Sequence, residues 1–256
     1  MLSNFNRDNY FLTKIFLFSF FVRLLFLFSI DADFLNFADQ TEYRKISNFI
    51  LEGNFLSAHF LARTPIYPLF IAIIRYFFDN YFLVIIVQNL IGIILIYLSY
   101  VISIEHFHKY FKFITVLMSI NLNILLHNNL LLTETIFLLF FYIFILNLFN
   151  YLKFKKIKNV IYLSLFLGLC TLTRPVTIYL PFFLIIIFIL NYKNFKSFIY
   201  HTSLMLIIFQ TVIGFWQMRN YHIYKNFNLV TNKEVNLIEY YLPHFDQYEY
   251  GYSLEE

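Results

Sequence analysis

IYPLFIAIIRYFF, residues 66–78, is the stretch on which the fold turns, because counting it in or out of the membrane reverses the sidedness of everything after it. A helix needs about 20 apolar residues to cross a bilayer, and this run falls well short. Pro65 and Pro68 stand where a helix opens, the positions that tolerate a residue without an N–H. The run therefore reads as an interfacial or re-entrant segment.

The surrounding chain is 60% apolar and 13% charged, against about 25% charged for a soluble domain. That composition describes an integral membrane protein. Its apolar runs cover Tyr10–Ile30, Tyr81–Ile104, Phe113–Leu126, Leu130–Phe149, Val160–Thr173, Val176–Leu190 and Phe198–Trp216. No small-residue cleavage site follows the first, so it reads as a helix and not as a removed signal. The single cysteine, Cys170, excludes an internal disulfide and a cysteine metal cage. The expected fold is all-α: a polytopic bundle of about seven transmembrane helices, with interfacial helices in the first outer loop.

Charge tests the parity of that count. With residues 66–78 outside the bilayer and the N-terminus in the cytoplasm, the inner segments carry Arg7, Lys14, Lys109, Lys112, Lys153, Lys155, Lys156, Lys158, Lys193 and Lys196 against only Asp8 and Glu105. Basic loops on one side are the signature of the cytoplasmic face. A full crossing at 66–78 would split them between the two sides. The sequence thus predicts a multi-pass protein of the plasma (inner) membrane, with its functional face outside.

The first outer loop, residues 31–65, gathers Asp31, Asp33, Asp39, Glu42 and Glu52. Within it, Tyr43, Ile46, Phe49 and Ile50 recur at helical spacing, with Gln40, Arg44, Lys45 and Asn48 on the remaining arc, the pattern of an amphipathic helix on a membrane surface. Asp39 followed by Glu42 fits a capping box, and Gly53 suits the left-handed residue that closes a helix. In the predicted topology Asp31, Asp33, Asp39, Glu134, Arg174 and Arg219 all fall at outer helix ends or in outer loops. Each has a local use: Asp39 as a helix cap, Glu134 against a helix dipole, Arg174 and Pro175 at helix ends, Arg219 snorkelling beside Trp216. Their agreement on one face points to a shared outer cavity. His59 and His127 approach the same face without metal-site spacing, and His106 and His108 in the inner basic loop suit contact with membrane lipid head groups. No phosphate-binding glycine loop, nucleophile elbow or dinucleotide turn is present, which leaves no sign of nucleotide chemistry or of nucleic acid as a partner.

Five segments carry a resemblance: DQTEYRKISNFILEGNF (39–55), RTPIYPLFIAII (63–74), LLTETIFLLFF (131–141), GLCTLTRP (168–175) and GFWQMRNYHIYKNFNLVT (214–231), followed by VNL. In this order they resemble the GT-C class of polytopic membrane glycosyltransferases, the superfamily of the protein O-mannosyltransferases and the lipid A aminoarabinose transferases. The resemblance implies a catalytic module over residues 1–217, with first outer loop 31–65 and interfacial segment 66–78, and an outer polar segment over 218–256. Relatives usually continue further, so it also implies that 218–256 opens a C-terminal region missing from this chain. It assigns Asp39 and Glu134 as catalytic, with Tyr43, Arg63, Arg174, Arg219 and Asn220 binding substrate. The implied reaction moves a sugar, with inversion, from a polyprenyl-phosphate donor to a lipid, glycan or protein acceptor outside the cell. It implies no cofactor; Glu134 would either orient the acceptor or help to hold a divalent cation. Two other classes fit a membrane protein with charges facing a cavity: a transporter or flippase for a lipid-linked substrate, and a non-catalytic assembly subunit.

Overall fold

The computed structural model describes residues 2–29, 38–54, 63–192 and 194–230. Asp31, Asp33, His59 and Lys193 lie outside these ranges. Among the described residues every regular element is helical: α1 (Leu2–Ser29), α2 (Ala38–Leu51), α3 (Ile66–Phe77), α4 (Tyr81–His106), α5 (Phe111–Ser119), α6 (Leu122–Asn128), α7 (Glu134–Phe154), α8 (Ile157–Thr171), α9 (Leu180–Asn191) and α10 (Phe195–Tyr224), with a 3-10 turn over Pro175–Tyr179 before α9. Four of them, α4, α7, α10 and the Tyr10–Ser29 part of α1, are long and apolar enough to cross a membrane. The chain is a helical membrane protein.

The remaining expected spans are shorter or broken. Phe113–Leu126 is two helices, because Asn121 leaves the helical region (φ −65, ψ 110) and its side chain accepts from the Ile124 N–H, starting a new helix as a cap. The segment after Arg174 opens as a 3-10 turn with Pro175 at its start, and Pro181 lies in the first turn of α9. Neither proline can donate to an α-helical ladder. The last helix is longer than its apolar run. It continues unbroken to Tyr224, so the expected boundary after residue 217 falls inside a helix, and Arg219 and Asn220 lie within it.

Two apolar cores organise the bundle. One joins α7, α8, α9 and α10 through Phe144, Leu163, Leu167, Phe188 and Phe209, and the other joins α3, α4 and α7 through Tyr67, Ile71, Leu95 and Ile136. Helix α2 belongs to both, giving Ile46 to the first and Tyr43 to the second. The 21 residues of α7 span about 30 Å, a bilayer's hydrocarbon thickness. Since α8 packs back along α7, Glu134 and Arg174 share one end and Lys153 and Lys156 share the other.

Gly168 sets how closely α8 approaches α10. A Cβ there would stand 2.6 Å from Val212 Cγ1 and 2.7 Å from Val212 Cβ, closer than real carbon contacts allow. Gly168→Ala should therefore push the two helices apart and cost about 1–3 kcal/mol, the usual penalty of overpacking. Thermal unfolding in detergent checks this, and an unchanged or raised midpoint would contradict it.

The ends of α2 behave differently. At its C-terminus Gly53 has φ +78, with Gly53 N–H donating to Ile50 O at 3.1 Å and Asn54 N–H to Phe49 O at 2.9 Å. This is the paired closure expected from the glycine. At its N-terminus the helix begins at Ala38, so Asp39 lies inside the first turn and is not the cap. Its carboxylate turns instead to another segment.

Candidate active site at one end of the bundle

Pro175 biases the preceding residue toward extended backbone, and Arg174 has φ −140, ψ 113. That bend carries its side chain off the end of α8 toward the first turn of α7. There Arg174 Nη1 donates to Glu134 Oε1 at 2.6 Å, while the Arg174 side chain remains 43% exposed. His127 Nε2 lies 3.7 Å from the same carboxylate oxygen. Because its Nδ1 sits 2.6 Å from the Asn123 carbonyl, which can only accept, Nδ1 carries a proton and Nε2 faces Glu134.

A second arginine–carboxylate group stands across the same space. Arg63 donates from Nη2 to Asp39 Oδ1 and from Nε to Glu42 Oε2, both at 2.5 Å. Asp39 and Glu42, one helical turn apart, thus share one guanidinium through its two-pronged edge. Tyr43 follows Asp39 by one turn, 6% exposed, with its ring 4.9 Å from that of Tyr67 in an edge-on contact and the Arg63 guanidinium 5.3 Å from its centroid. Burial pushes the Tyr43 hydroxyl above its ordinary range, partly offset by the positive charge of Arg63. It therefore stays neutral.

Asp39, Tyr43, Arg63, Glu134 and Arg174 line an open cavity of about 370 Å³, with Pro175 and Val230 also on its walls. The Asp39 side chain is 50% exposed. Five of the seven residues expected in the site are therefore brought together. Arg219 and Asn220 do not line this cavity. Arg219 lines a separate hollow with Met218 and His222, its guanidinium 4.7 Å from the Trp216 ring. Asn220 is 1% exposed and donates to Asn228 O at 2.7 Å, while Trp216 Nε1 donates to Leu229 O at 3.0 Å. Together Trp216 and Asn220 pin the chain just before Val230 and so set one wall of the cavity.

Other supporting residues could not be picked out by pattern alone. Thr64 Oγ1 donates to Thr173 O at 2.9 Å and Ile66 N–H to Leu172 O at 3.3 Å, which latches the Arg63 segment to the Arg174 segment. Gln40 falls on the polar arc of α2 by periodicity. It is nonetheless buried, and its Oε1 accepts from the Leu131 N–H at 2.9 Å, tying α2 to the turn that leads to Glu134. Gln88, inside α4, accepts from Tyr67 Oη at 2.7 Å and donates to Asn128 O and Leu130 O at 3.0 and 2.8 Å. Buried amides hold that turn from both sides, and a buried network with its partners in place fixes one geometry.

Among the described residues no three His, Cys, Asp or Glu side chains gather, and Asp39, Glu42 and Glu134 are each engaged by an arginine. The chemistry available is that of two carboxylates and two guanidinium groups around one cavity, next to a neutral tyrosine. Comparison with protein-family models, curated proteins and solved structures finds no match to this chain.

Proposed function

We propose that the chain is a membrane glycosyltransferase of the GT-C type, moving a sugar with inversion from a polyprenyl-phosphate donor to an acceptor on the outer face of the plasma membrane. The observation that carries this reading is the meeting of Asp39–Arg63 and Glu134–Arg174 around one cavity at one end of the bundle. Those four residues lie in four of the five sequence segments that resemble the class. The orientation follows the sequence reading, in which the basic loops between the expected crossings share the cytoplasmic side.

In the proposed reaction the acceptor oxygen attacks the anomeric carbon as the sugar–phosphate bond breaks, and the phosphate leaves with the bonding electrons. Asp39, half exposed on the cavity wall, takes the acceptor's proton. Negative charge growing on the leaving phosphate is met by Arg174, whose guanidinium can offer paired N–H groups to phosphate oxygens. Arg63 holds Asp39 in place, and Tyr43 donates a hydrogen bond to substrate. Glu134 aims Arg174. Each step is carried by the chain's own side chains.

Two experiments test this reading. Membranes holding the protein are supplied with radiolabelled polyprenyl-phosphate sugars, and label should leave the donor lipid only when the protein is present; a donor pool untouched for every sugar tried would refute transfer. The orientation is tested with Glu52→Cys and Lys156→Cys in a Cys170→Ser background, both native residues being exposed. An impermeant maleimide should label position 52 in intact cells and position 156 only after permeabilisation. The reverse pattern would overturn the sidedness.

A further inference from the structure

Helix α10 is long and apolar enough to cross the membrane, and one of its faces packs on α8 through Met205, Phe209, Val212 and Ile213. Its outward side carries Gln210, Gly214 and Gln217 among Ile207, Phe215 and Met218. Gln210 is exposed, and its Nε2 donates to Gln217 Oε1 at 2.8 Å. That bond uses only part of each amide. Gln210 Oε1 and Gln217 Nε2 make no hydrogen bond to any described residue. The neighbouring Thr211 differs, since its hydroxyl donates to Ile207 O at 2.8 Å within the helix.

Gln210 stands at the middle of the 30-residue helix, about 22 Å from either end. Acyl chains at that depth offer neither donor nor acceptor, so an unpaired amide there is costly. Between the two glutamines the surface of α10 is bare: a Cβ at Gly214 would meet nothing nearer than Gln210 Nε2, at 3.8 Å. A bare stretch beside polar side chains lets a second membrane helix come close and bond across the contact. The hollow over this face measures about 690 Å³, and none of its lining residues lines the cavity that holds Asp39.

We propose that this face of α10 binds the same face of a second copy of the chain, about a two-fold axis along the membrane normal. Copies inserted in one orientation hold their glutamines at equal depth, and a separation of seven residues keeps both on one seam between near-parallel helices. Each glutamine therefore meets its own counterpart. A primary amide carries donors and acceptors together, so the pairing is reciprocal: Gln210 Nε2 gives its second N–H to the partner's Gln210, and Gln217 Nε2 donates to the partner's Gln217. The bond within each chain is kept, and the leftover oxygen and nitrogen are both satisfied. A partner offering only acceptors or only donors would satisfy one of them.

This interface is independent of the transferase reading. Single-molecule photobleaching tests it, with the full chain labelled at Glu52→Cys in a Cys170→Ser background and reconstituted in phosphatidylcholine bilayers over a range of protein-to-lipid ratios. Two bleaching steps should replace one as the ratio rises. Gln210→Leu with Gln217→Leu should weaken the dimer by about tenfold or more and leave the unfolding midpoint of the monomer unchanged. Should that variant fail to fold, Gly214→Leu provides the second arm: it keeps both amides, fills the bare surface and should weaken the dimer likewise. A chain that stays monomeric at every ratio, its α10 face covered by lipid, or a dimer unaffected in the folded variants would overturn the proposal.

Discussion

Asp39→Asn lowers single-turnover transfer by about 10²–10⁴-fold, the contribution of a positioned general base, while the protein unfolds at the wild-type temperature. The substitution is nearly isosteric, and the carbonyl oxygen of the new amide can still accept from Arg63, which also keeps Glu42 at 2.5 Å. What is lost is a group able to take a proton at neutral pH. Asp39→Glu gives the complementary test, since it restores a base but displaces it by one methylene, so activity should recover in part. If Asp39→Asn transfers sugar at the wild-type rate, Asp39 is a partner for Arg63 and nothing more. The base would then have to be sought elsewhere on the cavity wall.

The second large effect is expected at Arg174. Arg174→Lys should reduce turnover by about 10²-fold or more, as removal of one preorganised donor to developing charge does in other enzymes, with a smaller change in donor affinity. Lysine keeps the positive charge and its attraction to Glu134 but loses the planar fork. A loss concentrated in the rate of the chemical step identifies a group that meets charge in the transition state, whereas equal loss of affinity with unchanged turnover identifies ground-state binding. Glu134→Gln should move in the same direction by a smaller factor, because it loosens the aim of Arg174 without removing the guanidinium. Unchanged values for both variants would leave the Glu134–Arg174 pair as a helix-end contact.

The site was legible in the sequence where its residues obey local rules. Arg174 could be read because Pro175 dictates its backbone, and Glu134 because acidic residues favour the first turn of a helix. Gly53 announced the end of α2 for the same kind of reason. Of the two readings of Asp39, only the helix cap fails, since α2 begins one residue earlier. The capping pattern is short-range, whereas the actual partner of Asp39, Arg63, lies 24 residues along the chain, a separation no periodicity encodes. Gln40, Gln88 and Thr64 were missed as structural ties on the same ground: each makes its bond to a backbone or side-chain group far along the chain. A pair of amides in an apolar run, Gln88–Asn89, was the available signal, since amides within an apolar helix are costly without partners. Arg219 and Asn220 show the limit of reading a motif as a site: Asn220 and Trp216 act on the wall that ends at Val230, and Arg219 lies off the cavity.

The same reasoning explains why the crossings could be outlined but not bounded. Apolar length separates α1, α4, α7 and α10 cleanly, whereas the Asn121 cap and the prolines at 175 and 181 interrupt segments whose hydropathy is continuous. Hydropathy reports the solvent around a segment, and hydrogen-bonding geometry sets where its helices start and stop.

The central claim is that the cavity between Asp39 and Arg174 moves a sugar off a polyprenyl phosphate. It is tested most directly by extracting lipid-linked sugars from cells that lack the gene and from the same cells complemented with wild type or Asp39→Asn. One polyprenyl-phosphate sugar should accumulate in the deletion cells and in those carrying Asp39→Asn, and fall on complementation with wild type as a surface glycan or lipid gains that sugar. Identical lipid-linked sugar pools and identical surface glycans in all three would contradict the account.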